Sequence, residues 1–109
     1  MTTIWRTVDQ LGRDVTLTDV GWAHILRGHR DMPGREADAR VAVESADYIN
    51  RDADRADREC RYRRMGPDGL MPKVVVEYGT SPADGAAAGM VITAYPTGVV
   101  KPKEQRRWP

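Results

Sequence analysis

Three consecutive valines, Val74-Val75-Val76, sit inside the run from Leu70 to Tyr78. β-Branched side chains lose rotamer freedom in a helix and pack well on a pleated surface, so this run is expected to be a strand and the chain to contain a sheet. Cys60 to Met65 alternates in character just before it, and Gly66-Pro67-Asp68-Gly69 supplies turn residues between the two, which predicts an antiparallel hairpin. Pro72 marks a strand end or an edge. Gly79 to Gly89 reads as a long flexible connection, and Met90 to Tyr95 as the last strand. Asp47 to Asn50 begins a further strand, whereas the mixed charge of Arg51 to Arg58 reads as a solvated loop.

The first half has a different period. Trp5 to Val8 and Val15 to Leu17 alternate around Leu11-Gly12-Arg13, which predicts a short N-terminal hairpin. Thr18 is placed to cap a first helix that carries Asp19 in its first turn, Trp22, Ile25 and Leu26 on one face, and Gly28 at its end. The run from Arg35 to Ala46 has good helix formers, and Ala37, Val41 and Ala42 can share a thin apolar face of a second helix. The expected fold is therefore α+β: a short hairpin, two helices, then an antiparallel sheet of about four strands with the helices on one face. At 109 residues one core fills the chain, so residues 1–109 are expected to form a single domain.

The lone Cys60 can make no internal bridge, no apolar run is long enough to span a membrane, and the opening Met1-Thr2-Thr3-Ile4-Trp5-Arg6 lacks a signal-peptide layout. A soluble cytoplasmic protein with no membrane partner is the expectation; secretion as a toxin is the other setting considered. A net charge of +1 argues against nucleic-acid binding through bulk charge. Local charge is uneven: acidic residues concentrate between Asp31 and Glu59, while Arg61-Tyr62-Arg63-Arg64 and the tail from Lys101 to Arg107 are basic and would meet an anion.

Strand side chains alternate between faces. By parity Arg61 pairs with Arg63, Lys73 with Val75 and Glu77, and Val91 with Thr93 and Tyr95, leaving Tyr62, Val74, Val76, Tyr78, Met90, Ile92 and Ala94 for the helices. Set side by side, the polar positions would form a phosphate-binding floor of two guanidiniums, an ammonium, a hydroxyl and a phenol. The ordinary alternative is a wet outer sheet face.

His24 and His29 are the natural acid-base groups near neutral pH. On an ideal helix they point about 140° apart, at about 100° per residue, so no zinc pair is expected; if Gly28 ends the helix, His29 turns independently and a shared site stays open. Plain structural roles are a surface imidazole for His24 and a helix-end cation for His29. No Gly-rich phosphate loop, Cys-x-x-Cys, paired acidic metal motif or nucleophile elbow occurs, so neither a metal nor a cofactor is expected. Cys60 reads as a small core residue, and Trp5 and Trp22 as packing residues.

The order Gly12-Arg13-Asp14-Val15-Thr16-Leu17-Thr18, Trp22-Ala23-His24-Ile25 with His29, Arg61-Tyr62-Arg63, Lys73-Val74-Val75-Val76, and Val91-Ile92-Thr93-Ala94-Tyr95-Pro96 resembles the barnase-EndoU-colicin-RelE-like nuclease superfamily, in its small bacterial and phage-associated branch. Similar chains commonly carry proline after the second histidine; here Arg30-Asp31 follows. The resemblance implies two helices followed by a four-stranded antiparallel sheet, and metal-independent RNA cleavage by attack of the ribose 2′-hydroxyl. Carried over by position, His24 would be general base or acid, with Arg63, Thr93 and Tyr95 completing the catalytic set. Arg61, Lys73, His29 and Lys101 would bind the phosphate.

RNA, transfer or messenger, is the partner this implies, with a cognate antitoxin or immunity protein if the chain is the toxin of a toxin-antitoxin or phage-related system. A non-catalytic RNA- or protein-binding domain on the same fold is the main alternative. An immunity or antitoxin protein, with the acidic loop from Asp52 to Glu59 mimicking nucleic acid, is a third. The tail from Lys101 to Pro109 either crosses the site and supplies Lys101 or Lys103, or is disordered; Trp108 favours partial order across residues 97–109.

Overall fold

The computed structural model describes residues 1–64 and 69–108. In chain order the elements are β1 (Thr3–Val8), β2 (Asp14–Thr18), α1 (Asp19–Gly28), α2 (Glu36–Glu44), β3 (Tyr48–Arg51), β4 (Arg58–Tyr62), β5 (Met71–Thr80), β6 (Ala87–Thr97) and β7 (Gln105–Trp108). The α+β class follows. Most of the turn expected at Gly66-Pro67-Asp68-Gly69, with Met65 before it, lies outside the described residues.

Local chemistry sets the N-terminal boundaries as expected. Thr18 accepts the Gly21 N–H on its hydroxyl at 3.0 Å, satisfying one of the amides a helix start leaves free. The far end closes at His29, whose backbone N–H donates to the Ile25 carbonyl at 2.9 Å. In α2 the buried side chains are Ala39, Ala42 and Val43, while Val41 is exposed. Helical spacing allowed both that stripe and the expected Ala37-Val41-Ala42 stripe, and packing against β5 selected one.

The sheet is larger than expected. Among the described residues it has seven strands in the order β1-β2-β6-β5-β4-β3-β7. The four-strand estimate corresponds to its centre, β6-β5-β4-β3, all antiparallel neighbours. The N-terminal hairpin joins one side through a parallel pairing of β2 with β6, Val15 lying opposite Gly89. β7, from the C-terminal tail, adds to β3 on the other side. Periodicity identifies strands but carries no information on which strands pair, so these additions were not readable from pattern. The connection between β5 and β6 also shrinks to residues 81–86, because both strands run past the apolar centre that marked them. Pro72 is the second residue of β5, at a strand start as expected, although β5 itself is central.

Gly89 explains one close approach. A Cβ there would lie 2.6 Å from Val76 Cγ1 and 2.7 Å from Tyr78 Cε1, so only glycine lets the Tyr78 ring lie across β6.

Helices α1 and α2 cover one face, packing on β6 and β5. Leu17, Ile25, Val43, Val74, Val76, Val91 and Ala94 form the core there, with Trp5 and Trp22 in their expected packing roles. A charged cluster closes the same layer. Asp9 accepts from the backbone N–H groups of Leu11 (2.9 Å) and Arg13 (3.0 Å), from Arg13 Nε (2.9 Å) and from the Tyr78 hydroxyl (2.7 Å). Arg13 continues to Glu59 at 2.6 Å, and Arg61 lies 3.4 Å from Asp9 and 3.7 Å from Glu59.

Burial pushes the Asp9 carboxyl upward, but the Arg13 and Tyr78 hydrogen bonds and the charges of Arg61 and Arg13 prevail and hold it below the usual carboxylate range. A carboxyl depressed in the fold contributes stability above its unfolded pKa of about 3.9, and that contribution is lost as pH falls through the lower folded value. Thermal denaturation between pH 7 and pH 2 is therefore expected to show stability falling below about pH 4. Asp9→Asn is expected to cost about 3–5 kcal/mol at pH 7, with a shallower acid dependence, because it leaves the Arg13 and Arg61 guanidiniums to share the single carboxylate of Glu59.

Candidate functional site

The register of the central strands lays out the face away from the helices. One row across the sheet runs Tyr48, Tyr62, Lys73, Tyr95; the next runs Asn50, Cys60, Val75, Thr93. Directly opposed residues on neighbouring antiparallel strands share a face, so Lys73, Thr93 and Tyr95 are brought together as expected.

The arginines are not. Arg61 lies opposite Val74, on the helix face, where it is fully buried and donates to the Val43 carbonyl and to Gln10 Oε1 (3.0 Å). Arg63 donates to the carbonyl and hydroxyl of Ser45, just past the C-terminus of α2, where helix carbonyls lack internal partners. Arg61, expected at the phosphate, and Arg63, expected in the catalytic set, therefore both lie away from the cluster of Lys73, Thr93 and Tyr95. Parity had sorted residues within each strand, but a one-residue change of register between strands exchanges the faces, and it is Tyr62 that stands beside Lys73. A bulge in β6 makes a second correction. Val75 is opposite Thr93 but Val76 is opposite Val91, so Val91 enters the helix-side core and Ile92 packs with Cys60, Tyr62 and Val75 on the other side.

The imidazole that reaches this face is His29. As the residue that closes α1 it has extended backbone, and its ring stacks on Tyr95 with centroids 4.8 Å apart and planes 19° apart. Its Nε2 lies 3.4 Å from Thr93 Oγ1. His24, expected to be the acid-base residue, is exposed on α1 and lines a neighbouring hollow with His29 and Thr93.

A cavity of about 590 Å³ opens beside the His29–Thr93–Tyr95 group. Lys73 forms its wall, Ile92 and Val75 its apolar floor, and Lys101, Lys103 and Arg58 bring positive charge, with Asp52 and Asp54 on the loop before β4. Lys101, expected at the phosphate, is therefore present at this cavity. The tail crosses the face, as one of its two expected courses required.

Glu104 is the residue that pattern reading missed. Its carboxylate is buried and accepts from Lys73 Nζ (2.7 Å), the Tyr62 hydroxyl (2.7 Å) and Asn50 Nδ2 (3.2 Å). The signal was available: Glu104 is the one acid within the basic stretch from Lys101 to Arg107. Burial pushes the Lys73 ammonium toward neutrality, but the Glu104 and Tyr62 hydrogen bonds prevail and hold its pKa above the ordinary lysine value. Lys73 Nζ also lies 5.2 Å from the Tyr62 ring centroid and 5.5 Å from that of Tyr95, within cation–π reach of both. Cys60 is buried here, and burial pushes its thiol up to about 12, which makes it inert and suits a core role.

Among the described residues no group of three His, Cys, Asp or Glu side chains is placed to hold a metal ion, and no helix is long and apolar enough to cross a membrane.

Glu104→Gln keeps an acceptor but removes the charge facing Lys73. It is expected to cost about 1.5–3 kcal/mol in chemical denaturation, the range for hydrogen bonds to charged groups. In a double-mutant cycle Lys73→Met with Glu104→Gln should cost less than the sum of the single changes; strict additivity would contradict the pairing. Among known proteins, no family model, no curated protein and no solved structure matches this chain.

Proposed function

We propose that the chain is a metal-independent endoribonuclease acting at the face where His29, Thr93, Tyr95 and Lys73 meet. The observation that carries this reading is the His29 imidazole, stacked on Tyr95 and 3.4 Å from the Thr93 hydroxyl, at the edge of a cavity that Lys101 and Lys103 line together with Arg58, Asp52 and Asp54. An imidazole beside a hydroxyl and a phenol is a set able to move protons around a phosphodiester, and the exposed Lys101 and Lys103 can stabilise charge developing on it.

In the proposed reaction His29 takes the proton from a ribose 2′-hydroxyl as the 2′-oxygen bonds to the adjacent phosphorus. The bond from phosphorus to the 5′-oxygen breaks, and that oxygen receives a proton from the Tyr95 phenol or from water. A 2′,3′-cyclic phosphate and a free 5′-hydroxyl remain. Thr93 orients the imidazole, and Lys101 and Lys103 hold the phosphate, with Lys73 behind them. His24 is displaced from the general-base role by His29, because the latter touches both partner side chains. Such an activity fits the toxin of a toxin-antitoxin or phage-related pair, in which a cognate protein would block this face.

A second reading has its own support. Arg61 and Arg63 are committed elsewhere and Lys73 is neutralised by Glu104, which leaves the exposed lysines as the main phosphate contacts. A domain that binds RNA or a protein without turnover needs no more than this. The immunity-protein reading loses ground, since Glu59 is buried in the Arg13–Arg61 cluster and Asp57 is paired with Arg55.

Incubation of purified protein with total RNA in EDTA is expected to give fragments ending in cyclic phosphate. His29→Ala is expected to lower the rate on the order of 10²–10⁴-fold, the usual contribution of general acid-base catalysis, while Arg63→Ala leaves it within about threefold. Salt-sensitive RNA binding without cleavage would establish the second reading instead. Equal cleavage by His29→Ala would remove the assignment.

A further inference from the structure

His29 and Thr93 belong to two hollows at once. On one side is the cavity of about 590 Å³ that holds Tyr95, Lys73, Lys101 and Lys103. On the other is a hollow of about 470 Å³, lined by His24, Ile25, Arg27, Gly28, His29 and Thr93. Both volumes fall in the range of about 300–1,000 Å³ that small-molecule pockets occupy. The residues they share are the imidazole and the hydroxyl that lie 3.4 Å apart, so this pair forms the divide between them.

The two sides also offer matching chemistry. Each has a ring on its wall against which a base can pack, Tyr95, one face of which His29 covers, in the larger hollow and the exposed His24 in the smaller. Each has an exposed cation with no ion-pair partner among the described residues, Lys101 in the larger and Arg27 in the smaller. Arg27 lies in the last turn of α1, where the helix dipole favours a cation, and it stands on the smaller hollow's wall.

We infer that the two hollows are the halves of one site for a two-lobed ligand: a single-stranded dinucleotide or longer chain that places one nucleoside on each side of a phosphodiester seated over His29 and Thr93. The inference rests on the ribonuclease reading for the identity of the central phosphate, and deepens it by making a second nucleoside part of recognition. Arg27 and His24 are then binding residues of the leaving or attacking side, and a mononucleotide, filling one hollow, forgoes half of the contacts. Joining two half-sites through one ligand raises affinity without any new type of contact.

Calorimetric binding of 2′-O-methyl dinucleotides, which cannot be cleaved, against nucleoside 3′- and 5′-monophosphates tests this. The tightest dinucleotide is expected to bind on the order of tenfold or more better than the tightest mononucleotide. Arg27→Ala should remove most of that advantage while leaving mononucleotide binding in the larger hollow unchanged, and Lys101→Ala should weaken both ligands. Equal affinities, absence of dinucleotide binding, or an Arg27→Ala variant that keeps the full advantage would each overturn the inference. The two readings fail separately: dinucleotide binding without RNA cleavage removes only the activity, and RNA cleavage with equal mono- and dinucleotide affinities removes only the two-lobed site.

Discussion

The pairing of β4 with β5 sets the character of both faces of the molecule. With Arg61 opposite Val74 and Tyr62 opposite Lys73, one guanidinium is sealed under the helices and one ammonium is buried in the wall of the outer cavity. A shift of one residue would exchange these sets, burying Tyr62 and Cys60 beneath α2 and presenting two arginines outward. The observed register is held by charge as well as by shape. Arg61 satisfies the Val43 carbonyl and faces Asp9 and Glu59, contacts available only on the helix side.

Each face therefore carries one buried ionic cluster, and each cluster ties a terminal piece of chain to the central strands. On the helix side Asp9 and Arg13 bring the turn of the N-terminal hairpin to Tyr78 and Glu59. On the outer side Glu104 brings the C-terminal tail to Lys73, Tyr62 and Asn50, next to the pairing of β7 with β3. Buried ion pairs add little net stability over apolar packing, but removing one partner is costly, so they fix arrangement more than they add energy. The consequence for the site is positional: the tail that carries Lys101 and Lys103 to the cavity is anchored by Glu104 between them and β7.

Much of the fold was legible because its signals are local. The Thr18 cap, the stop at the end of α1, the N-terminal hairpin and the valine-rich strand each follow from a few adjacent residues. What failed depended on relations between strands. Parity along each strand correctly grouped Lys73 with Val75 and Thr93 with Tyr95, yet nothing local stated which face of β4 would join them, and the bulge at Val91–Thr93 was silent in the pattern. His29 was visible as an imidazole freed by the helix end, and only the tertiary fold showed that it, rather than His24, reaches Thr93 and Tyr95. Glu104 was legible as an acid out of place in a basic tail, but its partners lie at least 31 residues away in the chain.

The proposed activity requires the His29 ring to stand against Tyr95 on the outer face. Proton NMR of the two imidazoles reads this arrangement in solution. The His29 ring protons are expected upfield of those of His24, shifted by the Tyr95 ring current, to lose that displacement in Tyr95→Leu, and to move on addition of single-stranded RNA. A His29 resonance at the same position as His24, unchanged by Tyr95→Leu and by RNA, would exclude both the stacked pair and its role in the site.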